Sequence, residues 1–166
     1  EIVATPPAAA RSPDTDATRL GSAVHRVLEW ATAAPSALKV DLGTLAHAAA
    51  IEFGAAAEAT EQLAHTILRS PAYAPFVEGP QLRWAGNEVP VSDALEPLRI
   101  DRLVCLDGAD GPVWWVLDYK LQHAPQQLEA YRDQLLRYRA AVRSAQPGAA
   151  VRCAFVTGSG EVIEVG

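Results

Sequence analysis

The stretch Val113-Trp114-Trp115-Val116-Leu117-Asp118-Tyr119-Lys120 decides the fold. It is rich in β-branched and aromatic residues and closes on an aspartate and a lysine one residue apart, which reads as a strand with a polar end. Side chains alternate along a strand, so Trp114, Val116, Asp118 and Lys120 share one face and Trp115, Leu117 and Tyr119 the other. Asp118 and Lys120 therefore point the same way.

Immediately upstream, Asp107-Gly108-Ala109-Asp110-Gly111 is turn-forming and joins this strand to a second one over Leu98 to Leu106. Asp101, Leu103 and Cys105 share a face of that second strand, and the hairpin makes the two strands neighbours. Asp101 can then face Asp118 across a single site. A further run of alternating residues covers Gln81 to Val91.

Helical periodicity occupies the rest. One helix begins near Asp16 or Thr18, with Leu20, Val24, Val27, Leu28 and Ala31 on one side, and stops at Pro35. Two Ala-rich helices follow over Leu42 to Phe53 and about Ala55 to Arg69, closed by Ser70-Pro71. Beyond the central strands, Leu128, Tyr131, Leu135, Tyr138 and Val142 form a helical stripe between Pro125 and about Ala145. Two strands, Val151 to Val156 and Glu161 to Val165, flank the turn Thr157-Gly158-Ser159-Gly160. The expected class is α/β (α+β): a central mixed sheet flanked by helices, with an N-terminal helical segment. Residues 1–16, rich in Pro and Ala without apolar periodicity, read as a linker or arm, and 17–166 as one domain.

Composition narrows the function. The 166 residues carry a formal charge of −6, which argues against gripping a nucleic-acid backbone by bulk electrostatics. Any such grip must be local or supplied by a partner. The positive residues Arg99, Arg102, Lys120, Arg132, Arg137, Arg139 and Arg143 cluster in the second half, where a solvated helix face would also explain several. Cys105 and Cys153 lack the close Cys or His neighbours of a zinc or iron-sulfur site and read as buried thiols in a reducing compartment. No apolar run approaches the ~18 residues of a membrane span, and no signal peptide is visible after Glu1.

Two carboxylates at the ends of adjacent apolar strands repel each other and resist desolvation unless a cation joins them. A hard divalent ion suits such a pair. Magnesium takes a few carboxylate oxygens and leaves coordination positions for water and substrate phosphate. A lysine two residues beyond the aspartate could orient the attacking water and offset developing phosphate charge. The plainer alternative is an Asp118–Lys120 ion pair at a strand edge, with Asp101 paired to Arg99 or Arg102.

Five segments in order bring a resemblance into view: Gly21-Ser22-Ala23-Val24-His25, Asn87-Glu88-Val89-Pro90, Arg99-Ile100-Asp101-Arg102-Leu103-Val104, Leu117-Asp118-Tyr119-Lys120, and Gln134-Leu135-Leu136-Arg137-Tyr138. Over residues 18 to 166 they resemble the motifs of the RecB/AddA nuclease family, within the PD-(D/E)xK superfamily. The resemblance implies a restriction-endonuclease-like core and a Mg²⁺-dependent deoxyribonuclease, with Mn²⁺ as a possible substitute and exonuclease action favoured over endonuclease. It implies that His25, Asp101, Asp118 and the backbone carbonyl of Tyr119 bind the metal, that Lys120 assists the water and that Glu88 is a nearby acidic residue. Gln134 and Tyr138 match the family's Q-x-x-x-Y motif beside the site. The implied partner is DNA, in single strands delivered by covalently linked or associated helicase domains, with no membrane partner. The implied setting is double-strand break repair and recombination at a bacterial nucleoid in the cytoplasm.

The chain departs from the family pattern twice. Leu98 and Arg99 stand where a glycine is usual before the Ile-Asp pair, and Leu121 stands where Thr or Ser usually follows Asp-Tyr-Lys. Several residues keep two readings. His25 borders the apolar stripe of its helix and suits a packed core as well as a ligand. Tyr138 is a stripe position and equally a phosphate contact. Glu96 competes with Glu88 for an acidic role, and Trp84, Trp114 and Trp115 suit core packing or base stacking. At the level of function, a nuclease-fold scaffold that no longer cleaves and a metal-dependent phosphatase stand beside the nuclease.

Overall fold

The computed structural model describes residues 15–33, 41–93 and 95–166. Most of the expected arm, 1–14, lies outside the described residues. Helix α1 covers Asp16–Ala33. Thr15 Oγ1 caps it by accepting a hydrogen bond from the Thr18 amide at 3.2 Å, which satisfies one of the unpaired amides of a first helical turn. Helix α2, Leu42–Phe53, is capped by Asp41, whose carboxylate accepts from the Thr44 amide, and ends on Gly54 in the left-handed conformation at φ 67°. Helix α3 follows over Ala57–Leu68. The small residues Ala23, Ala46, Ala49 and Ala64 are fully or almost fully buried, so the three helices pack closely.

Five strands form one sheet in the order β1-β2-β3-β4-β5: β1 Leu82–Ser92, β2 Pro97–Gly108, β3 Gly111–Tyr119, β4 Ala150–Val156 and β5 Val162–Val165. The β2–β3 hairpin is tight, with Gly108 opposite Gly111 and only Ala109-Asp110 between them. Gly111, at φ 118°, adopts backbone geometry that a side chain would strain. The strand β4 runs parallel to β3, a pairing that needs a long crossover, supplied by helix α4, Glu129–Ala145. This mixed sheet with helices on both sides is the α/β, restriction-endonuclease-like arrangement expected from the sequence.

The sheet separates two cores. On one face Val104, Leu106, Leu117, Tyr119, Ala154 and Val156 pack against α1, α2 and α3. On the other Ile100, Leu103, Val116, Cys153 and Phe155 pack against Leu135, Tyr138 and Val142 of α4. The alternation read from Val113 to Lys120 is therefore realised, with Tyr119 facing the three-helix side and Val116 the α4 side.

Three tryptophans lie away from the polar strand ends. Trp115 packs edge-on against Phe76, under the Arg152 guanidinium at 4.4 Å from its ring. Trp84 and Trp114 contact each other toward the hairpin end, about 13 Å along the strand from Asp118 by ordinary strand rise. Trp114 and Trp115 are partly buried, whereas Trp84 is exposed.

Candidate active site

Register explains how the site is assembled. In the β2–β3 ladder Arg102 pairs with Leu117, so the next step places Asp101 beside Asp118. The Tyr119 amide donates to Asp101 Oδ2 at 2.9 Å, which fixes one carboxylate on the neighbouring strand's backbone. Asp118 is almost wholly buried. Lys120 Nζ donates to its Oδ1 at 3.3 Å and stands 3.1 Å from its Oδ2. That second contact is electrostatic only, because Oδ2 has no hydrogen-bond partner and no exposure to solvent.

The electrostatics follow from this crowding. Burial first, and then the neighbouring Asp101 carboxylate, push the Asp118 carboxyl up to about 7 despite the Lys120 ammonium. Burial likewise raises Asp101, against the pull of the neighbouring Asp118 carboxyl and of the hydrogen bond it accepts from the Tyr119 amide. The two behave as a coupled pair that resists double ionisation.

His25 reaches the pair from α1. Its Nε2 is 3.0 Å from the Tyr119 carbonyl oxygen and its Nδ1 3.8 Å from Asp101 Oδ2. Burial lowers its pKa, so the imidazole is neutral at pH 7 and retains a lone pair. The ring also meets the Tyr119 ring edge-on at 5.5 Å. His25 is thus packed against the core and aimed at the strand ends at once, so the two readings of this residue are not exclusive.

Glu88 lies on β1 at the register position opposite Asp101, since Asn87 pairs with Arg102 and Val89 with Ile100. Its backbone sits at φ 50°, a left-handed conformation unusual for a residue with a side chain. Its carboxylate pairs loosely with Arg99 at 3.7 Å. Glu96 instead holds Arg137, together with Asp93, between the β1–β2 connection and α4, so its role is structural. On α4, Tyr138 is buried beside the pair, and burial with the Asp118 and Asp101 charges pushes its hydroxyl up to about 12. Gln134 is half-buried one turn earlier on the same helix.

The alternative pairing of Asp101 with Arg99 or Arg102 does not occur. Arg99 reaches Glu88. Arg102 points through the sheet to the other face, where its guanidinium donates to the Phe76 carbonyl at 3.0 and 2.8 Å and to Asn87 Oδ1 at 2.7 Å. Asn87 in turn donates to the Glu29 carbonyl at 2.9 Å, tying the sheet to the end of α1. Of the positive residues of the second half, Arg137 is paired with Asp93 and Glu96, while Arg139 and Arg143 donate to the Val165 and Val151 carbonyls.

Tyr131, a stripe residue by its helical spacing, is a neighbour of the site that the sequence does not single out: it lies under the Lys120 ammonium at 4.9 Å from its ring centroid and accepts a hydrogen bond from Gln122. Its spacing of three residues before Gln134 and seven before Tyr138 was the available signal.

Two clefts share His25 as a lining residue. One, of about 540 Å³, is lined by residues including Gly21, Leu63, Leu121 and Tyr131. The smaller, of about 270 Å³, is lined by Ser22, Arg26, Glu29, Phe53, Glu88 and Arg99. Among the described residues no three His, Cys, Asp or Glu side chains converge into a ready-made metal cage. The donors gathered here fit a magnesium-type ion, which typically uses one or two carboxylates and completes its shell with water and substrate. The orphaned Asp118 Oδ2 is the atom such an ion would satisfy.

A mixed sheet whose adjacent strands end in facing carboxylates, with a lysine two residues on and helices covering both faces, defines the restriction-endonuclease-like class. The sequence profile of the PD-(D/E)XK nuclease superfamily matches residues 3–163, nearly the whole chain, and the protein belongs to that superfamily. Membership implies a nuclease, and nucleases of this kind typically use divalent metals. No curated protein matches the chain. Among the described residues no helix is long and apolar enough to cross a membrane.

Proposed function

We propose that the chain is the Mg²⁺-dependent deoxyribonuclease domain of a RecB/AddA-like helicase-nuclease, acting in double-strand break repair and recombination. The observation that carries this reading is Asp118, a buried carboxylate held beside Asp101 with one oxygen lacking a hydrogen-bond partner. The order of the five motif segments supports the RecB/AddA assignment. The acidic net charge suits a domain whose substrate is delivered by a motor rather than captured by its own field.

In this reading Asp101, Asp118, the Tyr119 carbonyl and His25 hold the ion. In the structure His25 Nε2 donates a hydrogen bond to the Tyr119 carbonyl at 3.0 Å, which brings these two candidate donors to one point. Mn²⁺ is accepted in its place. The bound cation would polarise the scissile phosphate and lower the pKa of water. Lys120 orients the attacking water and offsets charge gathering on the phosphate oxygens. The Tyr138 hydroxyl, held neutral, donates toward a phosphate oxygen, and Gln134 supports the strand from the same helix face. Glu88 stays at the rim and orients water. Exonucleolytic action on single strands passed from linked or associated helicase domains, in the bacterial cytoplasm at the nucleoid, completes the proposal.

The test is cleavage of single- and double-stranded DNA by the chain and by Asp118→Ala and Lys120→Ala, with Mg²⁺, Mn²⁺ or EDTA. Cutting that needs metal and disappears in both variants supports the reading. No cutting under any condition, with no Mg²⁺ binding in calorimetry, would favour an inactive nuclease-fold scaffold.

A further inference from the structure

We infer that the 540 Å³ cleft beside Lys120 is a subsite for one unpaired nucleobase of the DNA strand, adjacent to the phosphate at Asp101 and Asp118. The inference rests on the nuclease reading for the identity of the strand, and on the cleft's own chemistry for the base.

The walls are more apolar than polar, and the one lysine among them is already engaged. Leu20, Leu63 and Leu121 line the cleft together with Tyr131, while Lys120 is committed to Asp118 and to the Tyr131 ring. Apolar and aromatic walls favour the flat, weakly hydrated face of a base, and stacking on an aromatic ring accepts any base. Gln122, already bonded to the Tyr131 hydroxyl, offers an amide at the mouth for a base edge. The volume matches that of a small-molecule pocket and cannot take a duplex.

Two residues shape this cleft. Leu121 stands where Thr or Ser is usual in the related motif, and its side chain is turned into the wall. Gly158 packs close against its backbone, where a Cβ would stand 2.9 Å from the Leu121 carbonyl oxygen. Gly21 lies inside α1, where glycine weakens a helix. Its φ is not in the left-handed region, and a Cβ added to it would meet nothing within 4 Å. Neither backbone nor packing requires glycine at this place. Its absent side chain opens the floor of the cleft one turn from His25.

The experiment is fluorescence anisotropy with a labelled single-stranded oligothymidylate and a strand of equal length built of abasic nucleotides. Both are titrated in EDTA, so that binding is read without cutting. The full chain, Gly21→Leu and Tyr131→Ala are compared, with thermal melts to confirm folding. The chain is expected to bind the base-bearing strand about tenfold more tightly than the abasic one. Both variants, one filling the cleft from α1 and one stripping it from α4, are expected to lose that preference. Equal binding of the two strands by the unaltered chain, or a preference that survives in both folded variants, would overturn the base subsite. The readout is independent of cleavage. A chain that prefers bases but never cuts would remove the nuclease reading and keep the subsite, whereas a chain that cuts without preferring bases would do the reverse.

Discussion

Two buried charges stand on adjacent residues of paired strands and face opposite sides of the sheet. Arg102 enters the three-helix side, where each guanidinium nitrogen donates to the Phe76 carbonyl or Asn87, although among the described residues it has no carboxylate partner. Asp118 enters the α4 side and keeps an oxygen without a hydrogen bond, beside a second carboxylate. A buried charge with a hydrogen bond from each of its nitrogens joins elements together, and here it ties β1, β2 and the end of α1 into one unit. A buried charge left incomplete raises the free energy of the empty fold, and such a group is retained where a ligand completes it.

The largest effect should separate the two sides by activity. Asp118→Ala removes a proposed metal ligand and should lower DNA cleavage by on the order of 10³ or more, the scale of the several kcal/mol that a bound cation supplies. Arg102→Met keeps the volume and should leave the chemistry of any folded fraction within a few-fold. Steady-state cleavage rates check both, and a comparable collapse in Arg102→Met would break the contrast.

Stability should divide the opposite way. Arg102→Ala leaves the Phe76 carbonyl and Asn87 without their donor and opens a cavity, at a cost of roughly 3–5 kcal/mol. Denaturant unfolding should show it as a lower midpoint at unchanged slope.

The pH dependence sharpens the comparison further. Because the Asp118 carboxyl rises from 3.8 to about 7 on folding, its contribution to stability is complete below pH 4 and is lost as pH climbs toward 7. The metal-free protein should therefore lose up to a few kcal/mol across that interval. Asp118→Asn should flatten the profile, and Mg²⁺ should raise the melting temperature of the parent at pH 8 but not that of the variant. A parent profile as flat as the variant's would show that Asp118 is not strained in the fold. The smallest effect belongs to the cleft floor: Gly21→Ala should stabilise the protein by about 0.5–1 kcal/mol, through helix propensity alone, in a thermal melt.

Much of this arrangement is legible from the chain. Period-2 alternation from Val113 to Lys120 and the short turn before it bring Asp101 and Asp118 together, because a two-residue hairpin leaves the register little freedom. The four-residue spacing of Gly21 and His25, and of Gln134 and Tyr138, is local helix geometry and equally readable. The destination of Arg102 was not. Alternation shows only that it leaves the strand on the face opposite Asp101, and its partners come from a turn 26 residues earlier and from β1. Nor did spacing reveal that Lys120 divides its charge between Asp118 and the Tyr131 ring, since that contact depends on how α4 returns over the sheet.

By itself the sequence determined which residues form strands and helices, which face each side chain takes, and hence that two carboxylates and a lysine meet at one strand end. Those are consequences of periods of 2 and 3.6 residues and of short turns, all carried within a few residues of chain. Only the tertiary structure decided how deeply Asp118 is buried, which of its oxygens goes unpaired, and that the space above Gly21 stays open. Burial, hydrogen-bond satisfaction and empty volume depend on the packing of segments distant in the chain, and no local period encodes them.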